Sequence, residues 1–244
     1  MPSYPAHEPK WNTQEGVRKQ GPQGTAGRHL PWYRSGKSEQ LLLVLSVVQL
    51  ALFAPLAWLV RKHAALPIDI LLSRAMQKRT SGLLRTTSVT ISYTGEATLL
   101  NLLAIAVAGV LWKVRRRLEA MMLAGTCLTG TLLRVVIRTI VNRPRPNPLL
   151  VRMAQKPKGK SFPSGHVVTS VTFWGWLCIL GLRYLKGRQK ALVSLPALVM
   201  TLIGPARVYS GQHWPSDVLG GYLLGGAWLS LSLQWYLAWR RKYP

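Results

Sequence analysis

The chain has 244 residues with 32 Lys and Arg against seven Asp and Glu, so its formal net charge is +25, yet 48% of its residues are hydrophobic. A disordered polycation would lack this apolar content, and a soluble basic domain would not normally contain a charge-free apolar run such as residues 41–60. Both classes are therefore excluded, and the sequence predicts an integral membrane protein.

The polar N-terminal segment, residues 1–38, is rich in Gly, Pro, Gln and Ser and has no apolar periodicity. We predict that it is a disordered basic cytoplasmic tail near anionic lipid headgroups, ahead of a membrane domain over residues 39–240. A cleavable signal peptide is not expected, because the first apolar run begins only after this polar segment. The tail contains no motif for specific nucleic-acid binding.

Six apolar segments follow, and they predict an all-α bundle of six transmembrane helices. The first and last are long enough to span alone, since about 20 helical residues cross the hydrocarbon layer. Cys127 and Cys178 fall inside apolar segments and are expected to be small core side chains rather than a disulfide or a metal site. The predicted spans are 41–60, 97–112, 119–141, 166–182, 191–205 and 218–239.

An amphipathic segment lies between the first two predicted spans. Apolar residues recur there at helical spacing and polar residues fill the opposite face, which predicts a helix in the membrane interface or one packed over the mouth of the bundle. The apolar face holds Ile68, Leu71, Leu72, Ala75 and Met76, and the polar face holds Asp69, Ser73, Arg74, Gln77 and Lys78.

The charges in the loops predict the orientation in the membrane. With the tail in the cytoplasm, inside segments carry 17 Lys and Arg and outside segments carry 13. The positive-inside rule then places both termini in the cytoplasm. We therefore predict a plasma or inner membrane protein whose active site is extracytoplasmic, because the residues able to carry chemistry lie in the outside segments.

These candidate residues cluster at the outside ends of the predicted spans. Guanidinium forks and a Ser-Gly turn at a helix start suit the oxygens of a phosphate. A histidine near a carboxylate can act as a nucleophile, and a second histidine can donate a proton. No carboxylate cluster is present to hold Mg²⁺, so neither a metal nor a cofactor is expected. The candidate residues are Arg138, Arg145, Ser164, Gly165, His166, Arg207, His213 and Asp217.

In these residues the chain resembles the PAP2 (phosphatidic acid phosphatase type 2) superfamily of membrane lipid phosphatases, which is related to vanadium haloperoxidases. That family carries Lys-x6-Arg-Pro, then Pro-Ser-Gly-His, then Ser-Arg-x5-His-x3-Asp. This chain carries Arg138-x6-Arg145-Pro146, then Pro163-Ser164-Gly165-His166, then Ala206-Arg207-x5-His213-x3-Asp217. Two positions depart from the pattern: Arg138 puts a broad fork where the family has a compact ammonium, and Ala206 lacks a hydroxyl.

The resemblance implies hydrolysis of a lipid phosphate or pyrophosphate, of the prenyl pyrophosphate or phosphatidic acid class, without a metal. His213 would attack phosphorus and form a phosphohistidine, Asp217 would orient it, and His166 would protonate the leaving group. The phosphoryl oxygens would be bound by Arg138, Arg145, Ser164, Gly165 and Arg207.

Other interpretations remain open at this point. Arg138 and Ala206 are compatible with a non-catalytic protein that binds lipid phosphate. A vanadate-dependent haloperoxidase would use the same oxyanion site, and a transporter is a third alternative. Arg134 and Arg143 are predicted to contact lipid headgroups, with Arg143 a possible aid to the site.

Overall fold

The computed structural model describes residues 36–78, 81–154 and 159–243, and all regular structure in these ranges is helical. Most of the predicted disordered tail, residues 1–35, lies outside the described residues. The helices are α1 (Gly36–Lys62), α2 (Pro67–Gln77), α3 (Gly82–Tyr93), α4 (Ala97–Lys113), α5 (Arg117–Val141), α6 (Gly165–Tyr184), α7 (Ser194–Tyr209) and α8 (Pro215–Lys242), with a 3-10 helix at Gly187–Val193 before α7.

Every predicted span coincides with a helix, but helix length and hydropathy do not reproduce the count of six. Four helical stretches of the described chain are long and apolar enough to cross a membrane: α1, α5, α6 and the continuous Gly187–Tyr209. Helices α3 and α4, bent by 50° relative to each other, make a fifth if they form one span. The described part of this integral membrane protein thus has four or five such helices.

Helix α8 is the predicted span that is not apolar enough to count as membrane-crossing, either alone or with a neighbour. Its packing explains why. It is 28 residues long and packs against α1, α5, α6 and α7. Several of its positions are glycines that let α6 approach closely. A methyl group at Gly225 would lie 3.1 Å from Val171 Cβ, and one at Gly221 would lie 2.8 Å from Val167 Cβ. The small residues that permit this contact also lower the hydropathy of the helix.

Helix α2 forms where the amphipathic pattern predicts it, with its polar face against the protein. Asp69, Ser73 and Gln77 are buried. The large apolar side chains of the opposite face are exposed, namely Ile68, Leu71, Leu72 and Met76. The Gln77 side chain donates to the carbonyl oxygens of Arg152 and Tyr209 at 2.9 and 3.0 Å. Helix α2 therefore covers one end of the bundle, and its location in the membrane interface stays a prediction.

Helix α3 is not predicted from the sequence. It is rich in Ser, Thr and β-branched residues, which have low helix propensity. The Ser81 hydroxyl caps its start by accepting a hydrogen bond from the Leu84 N–H at 3.1 Å, and the helix packs on α7. Tertiary packing thus overrides local propensity in this segment.

The two long helices α1 and α8 run antiparallel. At one end of the bundle, Arg241 near the end of α8 lies 2.9 Å from Glu39 near the start of α1. At the other end, Arg143 donates to the Ala64 carbonyl just after α1 and to Ser216 at the start of α8. The second end is the one that α2 covers, and it contains the candidate site.

Candidate active site

The structure brings the predicted site residues together at the end of the bundle covered by α2. A pocket of about 240 Å³ there is lined by five of them, and an adjoining pocket of about 220 Å³ is lined by Arg207. His166 lies in the wall of both pockets. Ser164 and Asp217 are fully buried beside the first pocket rather than in its lining. The first pocket is lined by the predicted Arg138, Arg145, Gly165, His166 and His213, together with Glu96, Ala97, Thr98, Arg134, Lys160 and Pro163.

The ends of four helices and the loops beside them supply these side chains. Arg138 is in the last turn of α5, Arg145 follows in the loop, and His166 is in the first turn of α6. Arg207 is in the last turn of α7, and His213 precedes α8. Because α5 and α7 run towards the site and α6 and α8 run away from it, short connections suffice to bring the groups into contact.

The ring of His213 is held in one tautomer by its neighbours. Its Nε2 lies 3.0 Å from Arg145 Nη1, and a guanidinium can only donate, so Nε2 is the unprotonated nitrogen of the neutral ring. The proton is then on Nδ1, which lies 3.6 Å from Asp217 Oδ2, a little beyond hydrogen-bonding distance. The lone pair of His213 therefore points towards the arginines.

Burial and the surrounding cations keep His213 neutral. Burial lowers the pKa of His213 well below its ordinary value, and repulsion by Arg145 and Arg207 lowers this pKa further. Burial together with Arg138 also lowers the pKa of Arg145, to about 10, so that this side chain is still charged at neutral pH. The site thus combines an uncharged imidazole with concentrated positive charge.

The carboxylate of Asp217, next to His213, accepts hydrogen bonds from three other groups. Its Oδ1 accepts from Arg143 Nη1 at 2.7 Å, and its Oδ2 accepts from the Trp214 N–H at 2.8 Å and from the Ser161 hydroxyl. These contacts fix the carboxylate behind the ring. Asp217 consequently has little freedom to move during a reaction.

Arg143 lies in the interior of the protein, with 1% of its surface exposed. Besides Asp217 it contacts Asp69 of α2, whose Oδ2 lies 2.7 Å from Arg143 Nη2. The predicted headgroup contact for Arg143 is therefore wrong. The partner acid is 74 residues away in the chain, so the one available signal was an aspartate on the polar face of a helix in a chain that has few acids.

Arg134, Lys160 and Glu96 also line the pocket but were not among the predicted site residues. Arg134 precedes Arg138 by four positions, which places both on the same face of α5. Its guanidinium lies so close to Gly165 that a methyl group at that glycine would come within 3.1 Å of Arg134 Cζ. The helical spacing from Arg138 was the signal that could have revealed Arg134.

Several buried donors around the pockets have no acceptor among the described protein atoms. They include Nε of Arg134, Arg145 and Arg207 and the Ser164 hydroxyl. Leaving such groups unpaired costs about 1–3 kcal/mol each. The oxygens of a phosphate are well suited to accept these hydrogen bonds, because guanidinium forks match them in geometry and charge.

The two departures from the family pattern have different surroundings. Ala206 is buried, and Arg138 is half-buried with its guanidinium against Gly159. A methyl group at Gly159 would collide with Arg138 Nη2, and this glycine has a left-handed φ of 73°. The broad fork of Arg138 therefore occupies space that any side chain at residue 159 would need.

The donor set of the pocket suits an anion rather than a metal ion. Within residues 36–78, 81–154 and 159–243, no three His, Cys, Asp or Glu side chains form a group able to hold a metal. Four basic side chains line the first pocket against one carboxylate, that of Glu96. Divalent cations such as Mg²⁺ require oxygen ligands, which this lining supplies poorly.

Comparison with known proteins agrees with this architecture. The chain is 26% identical over 140 residues to phosphatidylglycerophosphatase B of Bacillus subtilis, covering 55% of this chain and 66% of that protein. It is 32% identical over 124 residues to decaprenylphosphoryl-5-phosphoribose phosphatase of Mycobacterium tuberculosis, covering 50% and 64%. The matched region thus spans slightly less than two thirds of either relative.

A solved structure shares the fold. The crystal structure of a transmembrane PAP2 type phosphatidylglycerolphosphate phosphatase from Bacillus subtilis aligns with a TM-score of 0.69, at 23% identity, over 82% of this chain and 97% of that one. The sequence profile of the PAP2 superfamily matches residues 119–241. Since this match covers half of the chain and includes all three motifs, the chain belongs to the PAP2 superfamily.

Proposed function

We propose that this protein is a membrane phosphatase that hydrolyses a lipid phosphate or pyrophosphate through a phosphohistidine on His213. The observation that carries the proposal is the position of His213 Nε2, 3.0 Å from Arg145 Nη1 in a pocket lined by arginines. An imidazole lone pair among phosphate-binding groups is the arrangement needed for nucleophilic attack on phosphorus.

The reaction begins when the Arg145 guanidinium turns from Nε2 to the phosphoryl oxygens and the Nε2 lone pair attacks phosphorus. The N–P bond forms while the P–O bond to the leaving group breaks, and His166, protonated once the negatively charged phosphate lies beside it, gives its proton to the departing oxygen. His166 is in the walls of both pockets, so it can reach a leaving group located between them. A water molecule then gives a proton to His166 and attacks the phosphohistidine. The new P–O bond forms as the N–P bond breaks, which releases inorganic phosphate and restores the Nε2 lone pair.

The arginines stabilise charge throughout these steps. The negative charge on the phosphoryl oxygens is spread over the transition state, and positioned guanidiniums stabilise it there. Arg138, Arg145 and Arg207 fill this role in the proposal, with Arg134 added from its place in the pocket. Because these side chains supply the positive charge, the reaction requires no divalent metal.

We infer that the substrate is a prenyl pyrophosphate or a lipid of the phosphatidic acid class. One relative is named for a phosphatidylglycerophosphate and the other for a decaprenylphosphoryl phosphoribose, so their names cover both a glycerolipid and a prenyl lipid. The pocket lining recognises phosphate, which these lipids share. We propose further that the site faces the extracytoplasmic side, as the loop charges predict.

The test is phosphate release by the purified protein in detergent with EDTA present. The panel contains phosphatidic acid, lysophosphatidic acid, a prenyl pyrophosphate and diacylglycerol pyrophosphate. We expect turnover of at least one lipid, loss of turnover in His213→Ala, and unchanged turnover in His63→Ala, whose histidine is exposed just after α1. Tight binding of lipid phosphate without turnover by folded protein would favour a binding protein instead, and activity that EDTA abolishes would contradict metal independence.

A further inference from the structure

A buried chain of charged groups connects helix α2 to the proposed nucleophile, and the mechanism above does not use its far end. We propose that Asp69 is a positioning residue for His213, acting through Arg143 and Asp217. This inference rests on the proposed role of His213 as the nucleophile.

Two short ion pairs and one longer approach make up the connection. Asp69 Oδ2 lies 2.7 Å from Arg143 Nη2, and Arg143 Nη1 lies 2.7 Å from Asp217 Oδ1. Asp217 Oδ2 in turn lies 3.6 Å from His213 Nδ1. The side chains of all four residues are at most 1% exposed, so the interactions are only weakly screened by water.

Asp69 also holds the first turn of α8, which contains Asp217. Its Oδ1 accepts from the Ser216 N–H at 2.9 Å, and its Oδ2 accepts from the Ser216 hydroxyl at 2.7 Å. The first N–H groups of a helix have no partner within the helix, and a carboxylate is favourable there. Asp69 thus fixes both the guanidinium that binds Asp217 and the backbone next to Asp217.

Asp69 affects the chemistry because it shares the positive charge of Arg143 with Asp217. Arg143 shares one positive charge between two carboxylates, so Asp217 retains net negative charge towards His213. When Nε2 bonds to phosphorus, the ring becomes cationic with its proton on Nδ1, the nitrogen that faces Asp217. Removing the charge of Asp69 would leave Arg143 to pair with Asp217 alone, and the developing imidazolium would be less stabilised.

A merely structural role for Asp69 would be to anchor α2, and Gln77 provides the matched control. Gln77 anchors the other end of the same helix face by hydrogen bonds to Arg152 and Tyr209. Among the described residues, the Gln77 side chain makes no hydrogen bond to the charged chain, and it does not line the pocket that contains His213. Gln77→Ala therefore weakens the attachment of α2 and leaves the charges around His213 in place.

The first measurement compares kcat and KM of Asp69→Asn and Gln77→Ala with the unchanged full-length protein in detergent. We expect Asp69→Asn to lower kcat about 10- to 100-fold, as loss of a residue that orients a reacting group does. KM should stay within about twofold of the original, since Asp69 does not touch the phosphate-binding arginines. Gln77→Ala should lower the thermal midpoint and leave kcat unchanged. Equal kcat losses in both variants, or none in Asp69→Asn, would overturn the proposal.

Arg143→Lys gives a second route if Asp69→Asn does not fold. A lysine keeps the charge, but a single ammonium does not reproduce the fork that binds two carboxylates. We expect the same selective loss of kcat. An unchanged kcat in a folded Arg143→Lys protein would contradict the proposal.

A spectroscopic readout separates this inference from the proposed activity. In protein with ¹⁵N-labelled histidine, with His213→Ala used to assign the signals, His213 should show a protonated Nδ1 and a bare Nε2. We expect Asp69→Asn to shift these signals and Gln77→Ala to leave them. If no lipid is turned over but this pattern holds, the proposed activity fails and the positioning stands. If the His213 signals ignore Asp69→Asn, the positioning fails whether or not the protein is active.

Discussion

Arg145 determines which nitrogen of His213 lacks a proton and helps to keep that nitrogen unprotonated. The guanidinium lies 3.0 Å from Nε2 and also donates to the Gln212 carbonyl at 2.7 Å, which fixes its position. A group that can only donate selects the tautomer whose lone pair faces it. This one contact therefore sets the tautomer of the proposed nucleophile and helps to position a proposed phosphate-binding residue.

The lowered pKa of His213 predicts the acid side of the pH profile. Because burial and the nearby arginines disfavour the imidazolium, His213 stays neutral well below its ordinary pKa of 6.5. We therefore expect kcat/KM to hold as pH falls through 6.5 and to decline only at lower pH. Arg145→Gln removes one repelling cation, which raises the pKa of His213 and moves this decline to higher pH. A decline centred at 6.5 in the unchanged protein would contradict this explanation.

The effects on kcat/KM of substitutions at Gly159 and Arg138 are expected to depend on each other. An alanine at residue 159 would need a left-handed φ of 73° and would collide with the Arg138 guanidinium. We predict that Gly159→Ala lowers kcat/KM about 10-fold, equivalent to about 1.4 kcal/mol, because Arg138 is displaced from the pocket. The measurement is a double-mutant cycle with Arg138→Lys, whose compact ammonium leaves room for the methyl group. Strictly additive losses would show that the two positions are independent.

The sequence motifs predicted residues that the structure brings together, including Asp217 behind His213, but they did not predict the contacts of Arg143 and Asp69 that hold Asp217. Arg138, Arg145, His166, Arg207 and His213 belong to short patterns with fixed spacing, and the structure places all of them in the pocket walls. The support behind Asp217 comes from single residues far apart in the chain. Nothing in the sequence around Arg143 distinguishes a buried arginine from one that contacts lipid headgroups.

At the scale of elements, close contact between α6 and α8 brings His166 and His213 to the same pocket. A methyl group at Gly221 would lie 2.8 Å from Val167 Cβ and 3.1 Å from the Ser164 carbonyl oxygen, at the start of α6. Neither Val167 nor Ser164 can move far, because both residues are fully buried. The glycine therefore sets the separation of the two helices at the site.

Gly221→Ala is accordingly predicted to lower both stability and activity. Overpacking of this kind costs about 1–3 kcal/mol, and the displaced α6 would carry His166 away from its place. The matched control is Gly125→Ala in α5, where a methyl group meets nothing within 4 Å. That substitution should be neutral or stabilising by up to about 1 kcal/mol. Thermal unfolding in detergent and kcat/KM check both variants, and similar behaviour of the two would contradict the packing argument.

The helices were predictable to different degrees for physical reasons. Apolar runs located α1 and all five helices from α4 to α8, because lipid-facing and core-facing positions are both apolar. The polar inner face of α2 was visible in its periodicity, although its attachment to Arg143 was not. Helix α3 escaped prediction because its polar and β-branched residues become helical only through packing on α7.

At the scale of the whole molecule, the bundle has two chemically different ends. The site end holds the arginine-lined pocket, and the opposite end joins α1 to α8 through Glu39 and Arg241. A buried Glu119 there accepts hydrogen bonds from Tyr184, Tyr236 and Arg240 at 2.7, 2.9 and 3.0 Å. A molecule with ends this different is suited to one fixed orientation in a membrane.

The proposed orientation predicts opposite accessibility for the two ends. A cysteine at Leu149, which is 85% exposed in the site-end loop, should react with an impermeant thiol reagent in intact cells. A cysteine at Lys242, at the end of α8, should react only after the membrane is made permeable. The natural Cys127 is buried and Cys178 half-buried, so the unchanged protein serves as the background control. Reaction of both positions from the same side would contradict the two-ended arrangement.

The measurement that tests the central claim most directly is trapping of the phosphorylated protein. Protein mixed with a radiolabelled lipid phosphate or pyrophosphate is quenched within the first turnover in alkaline conditions, where a phosphohistidine survives, and its labelled peptide is located. We predict the label on the peptide that contains His213, absent in His213→Ala and unaffected by EDTA. Turnover of the lipid with the label on another residue, or sustained turnover by His213→Ala, would contradict the account.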